Sequence, residues 1–238
     1  MFPSSSDPTL HRTRRGWRLS QYGTVLSEIL RQPGPTHSVF DVAAAACLLH
    51  PRPRDIALLG LGGGGILAAL RALGVHATVH AVDLDPTGLD LLRRHHADWL
   101  DPLRWQRGDA IALLRRSPRR FDEILDDLSV PVDDEVEKPE ASWNVLPALI
   151  ASRLASGGRA VFNLLRPPTL GWTRGLSRVT APFSRSLSVH LTDFDNRLVL
   201  AGALLPEARP TGRRLRAHLR QLRSRQATRL AISASRIP

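Results

Sequence analysis

The stretch LLGLGGGGILAALRAL, residues 58–73, decides the fold. Residues 55–60 are a continuous apolar run that stops at glycine, the pattern of a strand buried on both faces. Residues 66–73 then read as a helix, so a strand passes through glycines straight into a helix. Such a junction lets ligand atoms approach the backbone, and the helix start offers free N–H groups and a positive dipole end. Tight packing alone would also use glycines here. Gly60, Gly62 and Gly65 satisfy G-x-G-x-x-G, so binding of a nicotinamide or flavin dinucleotide is one reading.

Outward from this junction the pattern alternates. Strand-like runs at 78–82, 103–106, 121–125 and 159–164 are interleaved with helix-like runs at 87–99 and 141–154. Alternation of this kind predicts an α/β fold with a mostly parallel sheet wrapped by helices. The ending differs: SLSVHLTD (186–193), Phe194-Asp195-Asn196 and RLVLAGALL (197–205) read as strand, turn, strand, a hairpin that closes the sheet with an antiparallel strand. Upstream, residues 1–16 read as a flexible leader, and RLSQYGTVLSEIL (18–30) as a small β-hairpin turning at Tyr22-Gly23. After Pro33-Gly34-Pro35, Thr36 is expected to cap a helix through VFDVAAAACLLH. The expected organisation is a leader (1–16), a hairpin and helix (17–50), a ligand-binding domain (51–207) and an arginine-rich helix or tail (208–238).

Composition bounds the function. The chain has 238 residues and carries +11, but nine arginines and no acid fall after residue 207, leaving +2 for the rest. Basicity therefore reads as a property of the C-terminal segment, which offers a route to nucleic acid but has no interleaved aromatics to stack bases. Cys47 is the only cysteine, so an internal disulfide and a Cys-based zinc site are excluded, and a reducing cytoplasmic home fits. No stretch approaches the roughly 20 apolar residues of a membrane helix. His95 and His96 are adjacent on a helix and point apart, so no metal is expected.

Three further motifs carry chemistry. In VHAVDLDP, Asp83 ends the next strand, where a carboxylate can accept hydrogen bonds from both ribose hydroxyls of a nucleoside on the glycine turn; its alternative is a helix cap, a job open to Asp85. In RWQRGDAIALL, Asp109 and Ala110 open a helix, and the carboxylate either meets an exocyclic adenine amine or caps that helix. In FDEILDDL, Asp126 and Asp127 end a strand at the crevice where open α/β sheets bind ligands. Nine acids lie between residues 122 and 140 against Lys138 alone, so a cationic acceptor is expected to be drawn there. Trp143 and Phe40 either wall that pocket or pack in the core.

The order glycine turn, VDLDP, GDA, FDEILDD and SGGRAVFNL resembles the class I S-adenosylmethionine-dependent transferases, and more narrowly the spermidine and spermine synthases, over residues 21–205. The resemblance implies a seven-stranded methyltransferase-type sheet with a final antiparallel strand, preceded by a small N-terminal β-unit. It matches Gly60, Gly62 and Gly64 to the cofactor turn, Asp83 to the ribose ligand with Leu84 beside it, and Asp109 and Ala110 to the adenine site. It matches Asp127 to the aspartate that helps deprotonate the attacking amine, with Asp126 as a second acid raising its basicity. Spermidine synthases carry Gly-Gly-Gly-Asp-Gly, whereas Gly63 stands in place of that aspartate here. Their Tyr-x-Glu element has no counterpart, the nearest stretch being Val39-Phe40-Asp41. The reading is therefore a transferase using S-adenosylmethionine, methyl before aminopropyl, with a small amine-bearing acceptor. The alternatives are aminopropyl transfer from decarboxylated S-adenosylmethionine, nicotinamide oxidoreduction, and nucleoside or RNA binding without turnover. A homodimer without membrane attachment is expected by analogy.

Overall fold

A computed structural model describes residues 9–21, 24–132, 135–167, 171–229 and 233–236. The DIALL run becomes β4 (Asp55–Leu59), with four of its five residues buried. Helix α2 (Gly65–Ala72) follows the glycines. Around this unit lie β5 (Thr78–Asp83), α3 (Thr87–His96), β6 (Leu103–Arg107), α4 (Ala110–Arg116) and β7 (Phe121–Asp126). A short β8–β9 hairpin (Val130–Val132, Glu135–Glu137) and helices α5 (Ala141–Asn144) and α6 (Leu146–Arg153) lead to β10 (Leu154–Leu164). Helix α7 (Trp172–Thr180) precedes the hairpin β11 (Ser186–His190) and β12 (Arg197–Ala201). Then come α8 (Ala208–Gln221), α9 (Gln226–Arg229) and β13 (Ser233–Arg236).

The sheet order is β13-β11-β12-β10-β7-β4-β5-β6. Strands β10, β7, β4, β5 and β6 run parallel, and β12, β11 and β13 are antiparallel to their neighbours. The seven expected strands are thus present, and β13 adds an eighth at the edge. One sheet face packs on α1 (Val39–Cys47), α2, α3 and α8 through residues such as Ile56, Leu58 and Val161. The other packs on α4, α6 and α7 through Leu59, Ile124 and Phe162. Adjacent strand residues point to opposite faces, which is why both faces of the central strands are apolar.

Several details depart from the sequence reading. The N-terminal unit is a three-stranded sheet, β1 (Thr9–Thr13), β2 (Gly16–Gln21) and β3 (Thr24–Leu30), so a strand occupies part of the expected flexible leader. Tyr22 and Gly23, the expected turn, lie outside the described residues. The α1 cap is Ser38, whose Oγ accepts from the Phe40 amide at 3.3 Å. Thr36 instead donates its hydroxyl to Asp41 Oδ1 at 2.7 Å, because the backbone turns at His37 with φ of 60°. Helix α7 was not anticipated: a single turn of the pattern reaches the core, through Leu176 and Val179. The arginine-rich end is built into the body. Leu215 and Leu219 of α8 are fully buried against the α1 side, the Gln226 side chain donates to the His37 carbonyl at 2.6 Å, and β13 pairs with β11. No helix among the described residues is long and apolar enough to cross a membrane.

Truncating a fully buried leucine typically costs about 2–5 kcal/mol. Leu215→Ala is therefore expected to lower the unfolding free energy of the whole chain by an amount in that range, seen as a lower midpoint in urea unfolding. A detached tail would leave the midpoint unchanged.

Candidate functional site

The strand order reverses beside β4, with β7 on one side and β5 on the other, and the crevice at such a switch point lies above the carboxyl ends of the strands. Backbone bonds lock those ends side by side. The Asp127 amide donates to the Leu59 carbonyl at 2.9 Å, the Gly60 amide to Val82 at 2.9 Å, and the Gly108 amide to Asp83 at 2.9 Å. Four sequence-derived candidates, Gly60, Asp83, Asp109 and Asp127, are thereby brought to one edge of the sheet.

Glycine is required at residue 60 on two counts. Its φ is +87°, and a Cβ there would lie 2.8 Å from the Asp127 carbonyl oxygen. At Gly64, φ is +74° and no side chain caps α2, so the first amides of that helix stay available to a ligand. Gly62 lies between them in the same loop.

Asp83 does two jobs. Its Oδ2 accepts from the Leu61 and Gly62 amides at 2.8 and 3.0 Å, and its Oδ1 from the Asp85 amide at 3.1 Å. A carboxylate offers about four acceptor positions, so three are used in shaping the loop and one remains for a ligand hydroxyl. Leu84, next along, is 62% exposed, an apolar surface turned to solvent, and its carbonyl is held by Arg107 Nε at 3.1 Å. Asp109 caps α4, accepting from the Ala112 amide at 2.8 Å through Oδ1, and remains exposed; Ala110 beside it is buried. Asp85 caps the turn into α3 by accepting from the Thr87 amide.

Asp126 and Asp127 part company. Consecutive strand residues point to opposite faces. Asp126 turns away from the crevice and is fully buried, paired with Lys138 Nζ at 2.8 Å, with the same ammonium donating to its carbonyl at 3.1 Å. Asp127 stays on the crevice side and keeps part of its surface. The Asn163 side-chain amide donates to Asp127 Oδ1 at 2.7 Å, and Asn196 in turn donates to Asn163 Oδ1 at 2.9 Å. Burial pushes the Asp127 pKa up to about 7, against the opposing pull of the Asn163 hydrogen bond and the Lys138 charge, with Asp126 and Asp83 adding to the rise. Burial is the main cause, so Asp126 acts on its neighbour only secondarily.

Among the described residues, the acids of 122–140 do not form one patch. Asp122 accepts from the Arg54 and Asp55 amides at the opposite end of β7, Glu123 is fully buried beside Arg159, and Glu140 accepts from Asn144. Asp133 and Asp134 lie outside the described residues. Trp143 is a core residue, buried and edge-on to Trp172, whereas Phe40 is half-buried and packs on the core where a Gly65 Cβ would meet it at 2.8 Å. Asp41 takes three hydrogen bonds from Thr36 and His37 and serves the local loop.

The sequence reading missed Asn163, Asn196 and Lys138 as parts of this site. A signal for Asn163 existed, a lone polar residue near the end of the apolar run RAVFNL. Asn196 and Lys138 come from a turn and a loop whose approach only the fold determines.

No family model matches the sequence. Among solved structures, the chain is similar to a probable spermidine synthase from Corynebacterium glutamicum, with a TM-score of 0.74 and 16% identity over 97% of this chain and 87% of the other. A spermidine synthase in complex with the transition state analogue AdoDATO matches at 0.61 and 15%, over 84% and 71% of the two chains. Human methyltransferase-like protein 13 in complex with SAH matches at 0.58 and 18%, over 79% and 91%. The architecture is that of the class I S-adenosylmethionine-dependent methyltransferases, which the spermidine synthases share.

A buried charge left without its partner typically costs about 3–5 kcal/mol. Lys138→Ala is expected to destabilise the protein by that order in denaturant unfolding, and Lys138→Ala combined with Asp126→Ala to recover part of the loss. Equal stability of the single variant and the parent would remove the pair from any structural role.

Proposed function

We propose that the protein is a transferase that uses S-adenosylmethionine, and that it moves a methyl group to a small acceptor in preference to an aminopropyl group. The observation that carries this reading is the row of Gly60, Asp83 and Asp127 along one edge of the sheet, with the open α2 start behind it. Two proteins of the same architecture are in complex with SAH and with AdoDATO, which supports a sulfonium-type ligand over a dinucleotide.

The residues fit that ligand. The glycine loop admits it close to the backbone, Asp83 retains an acceptor position for one ribose hydroxyl, Leu84 offers an apolar surface for a base, and Asp109 and Ala110 close the far side. When bound, S-adenosylmethionine supplies an electrophilic carbon on a sulfonium and a neutral thioether as leaving group. The chain's part is to hold the acceptor in line and to take its proton. An ammonium has no lone pair, so an amine acceptor must first be deprotonated. Asn163 occupies Asp127 Oδ1 and leaves Oδ2 to receive that proton. A pKa of about 7 suits such a base near neutral pH.

Preference for methyl transfer rests on acids that are lost to a polyamine. A Cβ on Gly63 would lie 2.7 Å from Ile29 Cγ1 and 2.9 Å from Ser27 Oγ, so the aspartate that spermidine synthases carry there has no room. Asp41 is consumed by its own loop and Asp126 is neutralised by Lys138. A neutral or singly charged acceptor fits the remaining carboxylate better than a polycation.

Calorimetric titration is expected to give tight binding of S-adenosylmethionine, weaker binding of its decarboxylated form and none of NAD. A preference for the decarboxylated form would restore aminopropyl transfer, and no binding of either sulfonium would refute the reading.

Asp127→Asn should lower turnover by about two to four orders of magnitude with cofactor binding retained. In the parent, kcat/KM should rise with pH through an apparent pKa near 7, as Asp127 gains its charge. A hydrogen bond donated to a carboxylate favours the charged form, so Asn163→Leu should move this limb to higher pH. The same carboxyl has a stability signature. Its native pKa lies above the ordinary 3.8, so the folded state holds the proton more tightly and loses stability as pH rises from about 4 to about 7. Asp127→Asn should remove that loss, seen as a smaller fall in melting temperature between pH 5 and pH 8.

A further inference from the structure

Among the described residues two that are not glycine have positive φ, His37 at 60° and Arg223 at 57°, and the fold brings both to one junction. Arg223 turns the chain out of α8, where the Ser224 amide closes the helix by donating to the Leu219 carbonyl at 2.9 Å. The turn delivers Arg225 and Gln226 to the loop before α1. The Arg225 amide donates to His37 Nδ1 at 3.2 Å, and the buried Gln226 side chain donates to the His37 carbonyl at 2.6 Å. On the α1 side the His37 amide donates to Asp41 Oδ2 at 2.9 Å. Glycine would make either turn without strain. At residue 37 the chain carries an imidazole instead, and strain kept at a polar junction points to a use for the side chain.

Both ring nitrogens of His37 face donors. Nδ1 meets the Arg225 amide, and Nε2 lies 3.4 Å from Arg15 Nη1 in the β1–β2 turn. A guanidinium only donates, a neutral imidazole has one nitrogen that can accept, and an imidazolium has none. The ring can therefore satisfy one of its two neighbours when neutral and neither when protonated. The shorter contact assigns the lone pair to Nδ1 and the proton to Nε2. The charged groups around the ring divide in the same sense. Glu28 on β3 is shared between Arg15 and Arg18 at 3.4 and 3.1 Å, and Asp41 on α1 is engaged with the Thr36 and His37 amides and the Thr36 hydroxyl. Burial and the Arg15 charge, with Arg225 adding to them, hold the imidazole below its ordinary 6.5 against the pull of Asp41 and Glu28.

We propose that His37 is a pH-operated latch, which in its neutral form ties the α8–α9 turn to the loop before α1 and on protonation lets it go. The sign follows from the contacts. The folded chain takes up this proton less readily than the unfolded chain, so the junction is complete above about pH 6.5 and weakens as pH falls below it. The loop carries the change toward the candidate site. Thr36 and Phe40, on either side of His37, are the residues that a Cβ on Gly65 would meet, at 3.3 and 2.8 Å, and Gly65 is the first residue of α2. The N-terminal sheet, the loop before α1 and the arginine-rich end thus meet at one titratable ring behind the glycine loop. This inference uses no ligand and does not depend on the transferase reading.

The test is NMR of the isotopically labelled full chain, assigned through the backbone and titrated from about pH 8 to about pH 5. His37 should show the tautomer with its proton on Nε2 and a midpoint below 6.5, and the Arg225 and Gln226 amides should shift with that same midpoint. Protection of the Arg225 amide against hydrogen exchange, corrected for the intrinsic rate, should fall about tenfold across the transition. Arg15→Gln removes the facing charge and should raise the His37 midpoint. Asparagine tolerates this φ and keeps an acceptor oxygen but does not titrate, so His37→Asn should leave the Arg225 amide without the transition. Should that variant fold poorly, the parent and Arg15→Gln carry the test by themselves. A midpoint at or above 6.5, Arg225 and Gln226 amides that do not follow His37, a midpoint unmoved by Arg15→Gln, or the parent's transition persisting in His37→Asn would overturn the proposal.

Discussion

Everything at the site depends on how closely the backbone of β7 approaches the end of β4. The Asp127 amide is bonded to the Leu59 carbonyl, and the Asp127 carbonyl stands where a side chain on residue 60 would have to go. Only glycine can follow β4, and the chain is thereby free to turn back into α2. The same contact sets Asp127 beside the loop. A strand pairing that exists to complete the sheet thus also fixes the distance between the glycine loop and the carboxylate.

Asp83 tightens this arrangement from the other side. By accepting both the Leu61 and Gly62 amides on one oxygen, it gives the loop its shape from within the chain. Preorganisation of this kind lowers the ordering cost of binding. The charge is not wasted on solvent, since three backbone donors share it. The consequence is that most of the acceptor capacity of that carboxylate is spent on the backbone of the loop.

Much of this was legible in the sequence because it is local. The apolar run before the glycines, the acid ending the next strand and the Gly-Asp-Ala turn each lie within a few residues of the element that gives them meaning. The strand and helix order followed from periodicity. What could not be read depends on contacts between distant segments. Lys138 meets Asp126 through a loop of ten or so residues, Asn196 meets Asn163 from the turn between β11 and β12, and Ser27 and Ile29 reach Gly63 from the N-terminal sheet. The arginine-rich end was legible in part. Leu215, Leu219 and Leu222 fall on one side of the helix that the sequence predicts there, and burial of that stripe outweighs the charge around it.

Subtracting the C-terminal arginines to leave a nearly neutral body also hid a polarity within that body. Residues 103–120 are strongly basic and residues 122–140 strongly acidic, and the two segments follow one another in the chain. The fold treats them oppositely. Several of the acids are dispersed, Asp122 to backbone amides, Asp126 to Lys138, Glu123 into the interior. The arginines of β6 and α4 are left exposed. A net charge says nothing of which groups have been neutralised internally. Among the described residues the arginines of β6 and α4 are left without carboxylate partners, and Asp127 at the crevice has a proton affinity set mainly by its burial.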